Sequence, residues 1–267
     1  MTKERGPPES ARRIGAVTAG NPELAAVLTD VEPAVPRRSA SVLLLDGTTV
    51  PWRVLMMRRP RGADFAPDAY VFPGGSVGAE DEQQPDPFRA AALRELWEEV
   101  GVLLARRSVE RGRRRRLATA EDAASLRERT GRGAGFWASL QDLALEAAFD
   151  RLVFCTRWIT PLQVRRRYDT RFFVARYPRA QPVVPQSDEV DDWRFVTAGQ
   201  ALAGDVLRLV YATRRILELV AAEPDAARLF RRLRARRETA PVMPTIVEAG
   251  TGVEITDTAA PLFRIRR

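Results

Sequence analysis

The chain of 267 residues contains no histidine. This absence excludes Ser-His-Asp triads, histidine general bases and histidine-ligated zinc sites. Cys155 is the only cysteine, so the chain can form no internal disulfide and no cysteine-rich metal site. Because Cys155 ends an apolar run over 152–155, we predict that it is a small core residue and not a nucleophile. Catalysis would therefore have to use carboxylate, arginine, tyrosine or hydroxyl side chains.

Lysine is almost as rare as histidine. Lys3 is the only one, so the net charge of +8 comes from arginines. A basic chain ordinarily suggests a nucleic-acid partner, but such a strong bias toward arginine is more typical of genome composition. Seven arginines fall between positions 106 and 116, without interleaved aromatic residues or a binding motif. We expect a solvated basic loop here and no nucleic-acid partner, although RNA processing remains a third hypothesis that rests on this loop alone.

Long apolar runs are also missing. No stretch of 18 apolar residues occurs, so we expect no membrane span. Arg12 and Arg13 could begin a twin-arginine signal, but the segment 14–28 that follows is interrupted by Gly, Asn, Pro and Glu. We therefore expect a cytoplasmic protein.

The chain is long enough for one domain with extensions, and its 45% apolar content suits a buried core. Residues 1–38 are rich in proline, glycine and charge, which predicts a flexible arm. We place the main domain at 39–240. The remaining segment, 241–267, is a C-terminal extension with a candidate hairpin across Gly250 and Gly252.

One helix is predicted with unusually clear ends. Asp86 is a good N-cap, Pro87 is a favourable first helical residue and Gly101 is a typical C-terminal stop. The helix should therefore cover 87–100.

The two faces of this helix differ chemically. At 100° per residue, three carboxylates fall within one arc of about 100°, those of Glu95, Glu98 and Glu99, and the bulky apolar residues gather opposite. Like charges four residues apart destabilise a helix slightly, so the cluster needs a cation. Arg94 precedes Glu98 by four positions and can orient its carboxylate. A hard divalent ion is the expected complement.

The same residues carry a family resemblance. Residues 94–102 read RELWEEVGV and are preceded by Gly74 and Gly75, which resembles the Nudix box, G-x5-E-x7-R-E-U-x-E-E-x-G-U with U a bulky aliphatic residue. The helical half matches at every fixed position. The front half departs from the pattern, because about five extra residues lengthen the loop. Glu80, Asp81 and Glu82 all remain candidates for the first acidic position.

The resemblance implies an α/β fold, an α/β/α sandwich around a mixed sheet, with a loop-helix-loop that holds Mg²⁺ or Mn²⁺. It implies hydrolysis of the diphosphate in a small-molecule substrate, a nucleoside diphosphate linked to a group X. By this resemblance Glu95, Glu98 and Glu99 bind the metal, Glu98, Glu99 and Arg94 serve catalysis, and the backbone at Gly74 and Gly75 shapes the loop toward the substrate.

Three residues outside the box are further candidates. Arg58 and Arg59 end the strand before the box, where the family often brings basic residues to the substrate; a solvated strand end is the alternative. Glu189 lies in the acidic segment 186–197 and could complete the metal shell or act as a base, with an exposed acidic turn as the alternative.

The remaining pattern predicts an alternation of strands and helices. We expect strands at 39–46, 52–58, 152–159, 171–177 and 193–196. Helices are expected at 121–129 and 136–150 inside a helical insertion over about 104–150, and again at 198–203, 207–222 and 224–237. The insertion exceeds what a minimal Nudix domain needs, and two roles remain open for it, a wall of the substrate pocket or the surface of a homodimer.

A narrower resemblance concerns the substrate. Thr160-Pro161, the segment RRYDTRFF at 166–173, the lengthened box and the insertion are similar to the Nudix branch related to peroxisomal acyl-CoA diphosphatases. That likeness implies CoA or acyl-CoA as the substrate, although the segment 55–60 lacks the Thr and Ser of the CoA signature. The alternative function is a non-catalytic Nudix module that binds a nucleotide as a sensor or regulator. The intact REUxEE core argues against it.

Overall fold

The computed structural model describes residues 28, 32–63, 65–107, 116–203, 206–236, 240–249 and 252–257. Most of the predicted arm and positions 108–115 of the arginine-rich loop lie outside these ranges. Contacts divide the chain into two compact units. The larger unit comprises the described residues within 39–156 and 171–238, and the smaller one those within 1–38, 157–170 and 239–260.

A seven-stranded sheet forms the centre of the fold. Its main path is β10 (Asp192–Thr197), β2 (Arg53–Arg58), β1 (Arg37–Asp46), β9 (Tyr168–Arg176) and β8 (Val153–Ile159). Two short strands complete it: β3 (Tyr70–Val71) pairs with β2, and β4 (Gly74–Ser76) pairs with β1. The mixed sheet with its helices confirms the predicted α/β class. The predicted hairpin before the box is present as β1 and β2, with β1 two residues longer at its start.

The register of these strands places the candidate site residues. Ser41 pairs with Gly74 and Ala40 with Gly75, which sets the glycine turn beside β1. All six residues of β2 pair with β10, from Arg53 opposite Thr197 to Arg58 opposite Asp192. The acidic segment before β10 therefore arrives beside the end of β2.

The helix that bears the carboxylates, α1, covers Pro87–Val100 and confirms the predicted bounds. The Asp86 carboxylate accepts a hydrogen bond from the Arg89 amide at 3.1 Å. At the other end Gly101 adopts φ 67°, a left-handed conformation that glycine takes without steric cost. Both ends of α1 are thus fixed by local chemistry.

One face of α1 packs on the sheet. Leu93, Leu96 and Val100 are buried against Val42 and Leu44 of β1, within the main apolar cluster. Burial of side chains of this size contributes about 1.5–3 kcal/mol each. The opposite, acidic face is thereby held in a fixed orientation.

The insertion after α1 corrects one prediction. Helix α2 covers Ala120–Gly131, but α3 covers only Phe136–Asp142, so the helix predicted over 136–150 is wrong in its second half. The chain turns at Ala144, whose φ is 53°, and Leu145–Ala147 forms strand β7. Strand β7 pairs with β5 (Ala105–Arg107), which also pairs with β6 (Arg116–Leu117). Backbone pairing to β5 prevails over the helical spacing of the apolar residues.

A second apolar cluster holds the insertion together. Leu126, Phe136 and Leu140 pack with Leu103 and with Trp97 of α1. Arg127 lies over the Trp97 ring at 4.8 Å, a favourable cation–π contact. The insertion is therefore packed directly on α1.

The helices after β10 follow the predicted order but are shorter. They are α4 (Ala198–Leu202), α5 (Tyr211–Ala221) and α6 (Ala226–Arg234). Thr197 caps α4, since its hydroxyl accepts from the Gln200 amide while the Gln200 side chain accepts from the Thr197 amide. Within the described parts of the chain, no helix combines the length and apolar character needed to cross a bilayer.

The smaller unit contains a two-stranded antiparallel sheet. Strand β11 (Thr245–Ala249) pairs with β12 (Gly252–Thr256), in the segment where the sequence suggested a hairpin. In the same unit the Arg157 guanidinium donates two hydrogen bonds to the Asp169 carboxylate, at 2.7 and 2.6 Å.

Cys155 lies in β8 with 1% of its surface exposed, and burial raises the pKa of its thiol to about 12. Because the thiolate is the reactive species, we expect a disulfide reagent to label the native protein at pH 8 at least roughly a hundredfold more slowly than the urea-unfolded protein. Absorbance of the released thiol measures both rates, with Cys155→Ser as the blank. Rapid labelling of the native protein would show that the Cys155 thiol is accessible.

Candidate active site

Arg94 is the centre of the acidic face of α1. One of its terminal nitrogens, Nη1, donates to Glu98 Oε2 at 2.6 Å and to Glu95 Oε1 at 2.9 Å. The other, Nη2, donates to the Ser76 carbonyl at 2.9 Å and to Asp81 Oδ2 at 2.7 Å, while Nε lies 3.2 Å from the same carboxylate. All five N–H donors of a guanidinium are thus engaged. The i,i+4 contact to Glu98 is the one that the helical spacing suggested.

Asp81 fixes Arg94 from the other side. Its side chain is fully buried, and besides Arg94 it accepts hydrogen bonds from the Gly78 amide at 2.8 Å and from Trp137 Nε1 at 3.0 Å. Among the three candidates for the first acidic position of the box, the structure places Asp81 against Arg94.

Trp137 also contributes to the site, through its hydrogen bond to Asp81, and the sequence did not predict this contact. It lies in α3 of the insertion, 56 positions from Asp81. Trp137 has no motif around it and could only have been found from a contact between the insertion and the loop before α1.

The glycine turn holds the third carboxylate. The Gly74 amide donates to Glu99 Oε2 at 2.7 Å, and Glu99 is 3% exposed. Gly74 has φ 155°, and a Cβ atom there would lie 2.3 Å from the Ala40 carbonyl oxygen. A Cβ on Gly75 would lie 2.4 Å from the Glu95 carboxylate. Gly74 is required because a side chain there would clash with the backbone of β1, whereas a side chain at Gly75 would displace the Glu95 carboxylate.

The protonation equilibria of the three glutamates are shifted in the same direction. Burial raises the pKa of Glu95 to about 7, against the opposing effect of Arg94, and the charges of Glu98 and Glu189 raise it further. Burial also raises the pKa of Glu98, and it raises that of Glu99 well above its usual range, with the charge of Glu95 as the next cause. Burial opposes the charge of Arg94, but the hydrogen bond to Asp81 and the charges of Glu95 and Glu98 hold its pKa above the usual range. The site therefore carries more buried negative charge than Arg94 alone compensates.

The three predicted site residues outside the box differ in their surroundings. The charges of Glu189 and Arg59 act on the glutamates of α1, whereas Arg58 is engaged with other carboxylates. Glu189 is exposed in the turn before β10, and its charge adds to the rise in pKa of all three glutamates, although burial is the main cause. The charge of Arg59 acts on Glu99, while Arg59 Nε donates to the Phe65 carbonyl at 3.0 Å.

Arg58 is engaged with carboxylates. Its guanidinium lies 3.6 Å from Asp68 and 4.0 Å from Asp191, at the end of β2. A contact to a substrate phosphate would have to compete with both of these ion pairs.

The donor set suits a hard divalent cation. Glu95, Glu98 and Glu99 offer carboxylate oxygens, the ligand type that Mg²⁺ and Mn²⁺ prefer. Burial is the main cause of their raised pKa values and neighbouring carboxylates add to it, so a bound cation would favour the charged form of each. In the part of the chain that the structure describes, no group of three or more Cys, Asp or Glu side chains is arranged to hold a metal ion. Glu95 and Glu98 are both hydrogen-bonded to Arg94. Glu95, Glu98 and Glu99 are the residues that would hold the ion.

Comparison with known proteins agrees with this geometry. The family model of the NUDIX domain matches residues 35–131, from two residues before β1 to the end of α2. That range contains the whole loop and helix that carry Gly74, Asp81, Arg94 and the three glutamates.

Individual relatives point the same way. A Caenorhabditis elegans protein provisionally named nudix hydrolase 7 is 35% identical over 138 residues, which are 52% of this chain and 43% of that protein. The chain thus matches less than half the length of this curated relative. The crystal structure of a NUDIX hydrolase from Alicyclobacillus acidocaldarius superimposes with a TM-score of 0.62 at 25% identity, over 74% of this chain and 96% of that one. Residues 35–131 therefore match the NUDIX domain, and the fold resembles that of a NUDIX hydrolase of known structure.

Proposed function

We propose that the protein is a metal-dependent hydrolase of the phosphoanhydride bond in a nucleoside diphosphate linked to a group X. The observation that carries this proposal is the arrangement at α1, where Arg94 orients Glu95 and Glu98 and the Gly74 amide holds Glu99. Nudix enzymes act on pyrophosphate bonds of nucleoside diphosphate derivatives and generally use divalent metal ions. A helix with only a structural role does not need three clustered carboxylates whose charge a single arginine, Arg94, neutralises only in part.

The protein side chains have distinct roles in this mechanism. When bound, a divalent cation stabilises the charge that develops on the phosphate oxygens, orients the substrate and makes the attacking water more acidic. Glu95, Glu98 and Glu99 supply its protein ligands, with Mg²⁺ and Mn²⁺ as the candidate ions. Arg94 orients Glu95 and Glu98, and Asp81 orients Arg94. Glu189, whose charge acts on all three glutamates, is our candidate for completing the shell or taking a proton from water.

CoA or acyl-CoA is our leading proposal for the substrate. This proposal is supported by the segments at 160–161 and 166–173, which are similar to the branch related to acyl-CoA diphosphatases. It is weakened by the segment 55–60, which lacks the Thr and Ser of the CoA signature. The expected cytoplasmic location and homodimer remain predictions. The three carboxylates of the REUxEE core are all present, which favours hydrolysis over the sensor alternative.

Hydrolysis of a substrate panel tests the proposed function. The panel contains acyl-CoA, free CoA, NADH, ADP-ribose, a dinucleoside polyphosphate and oxidised dGTP, each with Mg²⁺, with Mn²⁺ and with a chelator. We expect cleavage of one class that requires metal and gives two phosphate-bearing products. A phosphopantetheine product from CoA would establish the CoA assignment. Absence of cleavage across the panel, in folded protein shown to bind Mn²⁺, would contradict the hydrolase proposal for these substrates.

Trp137→Phe tests the contribution of the insertion. The ring is kept, but Asp81 loses one of its hydrogen bonds inside a buried site. We expect a loss of about 1–3 kcal/mol in the free energy of unfolding and a severalfold lower turnover, because Arg94 becomes less well fixed. Urea denaturation and steady-state kinetics on the cleaved substrate measure the two effects.

Asp81→Asn is the comparison variant. It keeps the size of the side chain but removes the charge opposite Arg94, so its effect on turnover should exceed that of Trp137→Phe. If Trp137→Phe matched the wild type in both stability and turnover, the Trp137 to Asp81 hydrogen bond would contribute nothing to the site.

A further inference from the structure

A group of arginines lies on the face of the central sheet that points away from α1. Phe173 and Ala175 of β9 pack in the apolar cluster that contains the buried residues of α1. Because side chains alternate along a strand, Arg176, which ends β9, points to the opposite face. Helix α6 lies on that face, since the ring centre of its Phe230 is 4.7 Å from the Arg176 guanidinium. This location is separate from the three glutamates.

Two guanidiniums lie over the same ring. Arg234 follows Phe230 by one turn of α6, and its guanidinium is 5.8 Å from the ring centre. Phe230 is 2% exposed, whereas Arg176 and Arg234 are both exposed. The buried ring therefore holds two like charges at the surface. A cation–π contact at an exposed site contributes only about 0.5–1 kcal/mol, so ring contact alone is a weak reason for two arginines here.

Arg151 adds a third charge. It ends the turn at Phe149–Arg151, two residues before β8, and β8 is the neighbour of β9 in the sheet. Burial lowers the pKa of Arg151, and the charges of Arg106, Arg176 and Arg234 lower it further, against the opposing charge of Asp150. The charges of Arg176 and Arg234 thus both act on Arg151.

These charges are compensated only in part. Among the described residues, no carboxylate forms an ion pair with Arg151, Arg176 or Arg234. Asp150 precedes Arg151, but both of its carboxylate oxygens accept hydrogen bonds from Arg106 at 2.6 Å. A bound anion would relieve the repulsion among the three arginines.

The arrangement favours a compact anion over a nucleic-acid strand. Proteins that bind single strands combine a basic groove with exposed aromatic faces on which the bases stack. Phe230 is buried beneath two guanidiniums and offers no such face. Guanidiniums bind phosphate oxygens through paired N–H donors. A short chain of linked phosphates carries enough charge to engage more than one of them.

We propose that Arg151, Arg176 and Arg234 form a binding site for a compact polyphosphate, a group of linked phosphates that is either free or part of a small nucleotide. The site lies on the face of the sheet opposite α1. It is independent of the proposed hydrolysis and requires no metal ion.

Isothermal titration calorimetry of the metal-free protein with inorganic triphosphate tests this proposal. Without a metal ion, the three glutamates of α1 repel a polyanion. We expect saturable binding at physiological ionic strength, with an affinity that falls as the NaCl concentration rises. Adenosine triphosphate in a parallel titration separates the two sources. Equal affinity would show that the phosphates alone are recognised, and tighter binding of the nucleotide would identify a nucleotide as the ligand.

Three variants locate the site. Arg176→Gln and Arg234→Gln each remove one charge and should weaken triphosphate binding at least about tenfold, the lower range for loss of a hydrogen bond to a charged group. Arg231→Gln is the matched control, because Arg231 is exposed on the same helix but does not lie over Phe230, and it should bind as the wild type does. Arg234 is the exposed last residue of α6, so its variant keeps the test decisive even if Arg176→Gln fails to fold.

The outcomes are distinct. No triphosphate binding to the wild type, or equal binding by the wild type and Arg234→Gln, would overturn the site. An oligouridylate that displaces triphosphate, binds more tightly and is equally sensitive to Arg234→Gln would assign the arginines to nucleic acid and overturn the compact anion. Failure of the substrate panel would leave this proposal standing, because triphosphate binding requires neither metal nor turnover.

Discussion

Replacing Glu98 by glutamine is expected to lower turnover at least about a hundredfold, a barrier increase of roughly 2.7 kcal/mol, with little change in stability. Glutamine has the size of glutamate, and its side-chain oxygen can still accept the hydrogen bond from Arg94 Nη1 that Glu98 accepts at 2.6 Å. The local geometry is therefore preserved. The variant loses the negative charge that makes Glu98 a ligand for a hard cation and an acceptor of protons.

The matched control is Glu128→Gln. Glu128 also pairs with an arginine four residues away, Arg132, but on the exposed surface of the insertion at 2.5 Å. Removal of that charge should change turnover by less than about twofold, because exposed ion pairs contribute little. Steady-state kinetics on the cleaved substrate and Mn²⁺ binding followed by electron paramagnetic resonance provide two independent measurements.

The two measurements separate the explanations. Loss of turnover together with weaker Mn²⁺ binding would support a ligand role for Glu98. Loss of turnover with unchanged Mn²⁺ binding would assign Glu98 to proton transfer instead. Full activity in Glu98→Gln would contradict the site assignment at α1.

The sequence predicted the bounds of α1 and its Arg94 to Glu98 contact because every signal is local. Asp86, Pro87 and Gly101 define the ends through hydrogen bonds and backbone preferences within a few residues. The Arg94 to Glu98 contact follows from the helical repeat alone. Short-range rules were sufficient for these features.

Other parts of the site depend on contacts distant in sequence. The hydrogen bond from Gly74 to Glu99 spans 25 positions and that from Trp137 to Asp81 spans 56. No periodicity or motif encodes either pairing, since each exists only after the sheet and the insertion have packed on α1. The neighbours of Arg58, Asp68 and Asp191, are likewise visible only in the fold, and its contact with a substrate stays a prediction.

The error in the insertion has the same origin. The apolar residues between 136 and 148 recur at helical spacing, but the chain leaves the helix at Ala144 and pairs with β5. That pairing depends on a strand about forty positions earlier in the chain. A pattern taken over a dozen residues cannot detect a pairing with a strand that lies so far away in the sequence.

Gln181→Met is expected to cause the largest loss of stability, about 3–9 kcal/mol, from a single uncharged substitution. Gln181 is 1% exposed, and its Oε1 accepts from the Leu103 amide at 2.8 Å. Its Nε2 donates to the carbonyls of Leu103 and Ala118, at 2.9 and 2.8 Å. Methionine fills a similar volume but leaves these three backbone groups unpaired inside the protein, each at a cost of about 1–3 kcal/mol.

The loss would be a large part of the total stability of an ordinary domain, about 5–15 kcal/mol. Urea denaturation at equilibrium measures it, with Gln200→Met as the control. The Gln200 side chain also accepts from a backbone amide, that of Thr197 at 2.9 Å, but at the exposed start of α4, so its replacement should cost about 1 kcal/mol or less. The comparison isolates burial as the cause, since both variants lose a bond to the backbone. A Gln181→Met protein within 1 kcal/mol of the wild type would mean that Leu103 and Ala118 find other partners, and that the segment before β10 joins α1 and the insertion by apolar packing alone.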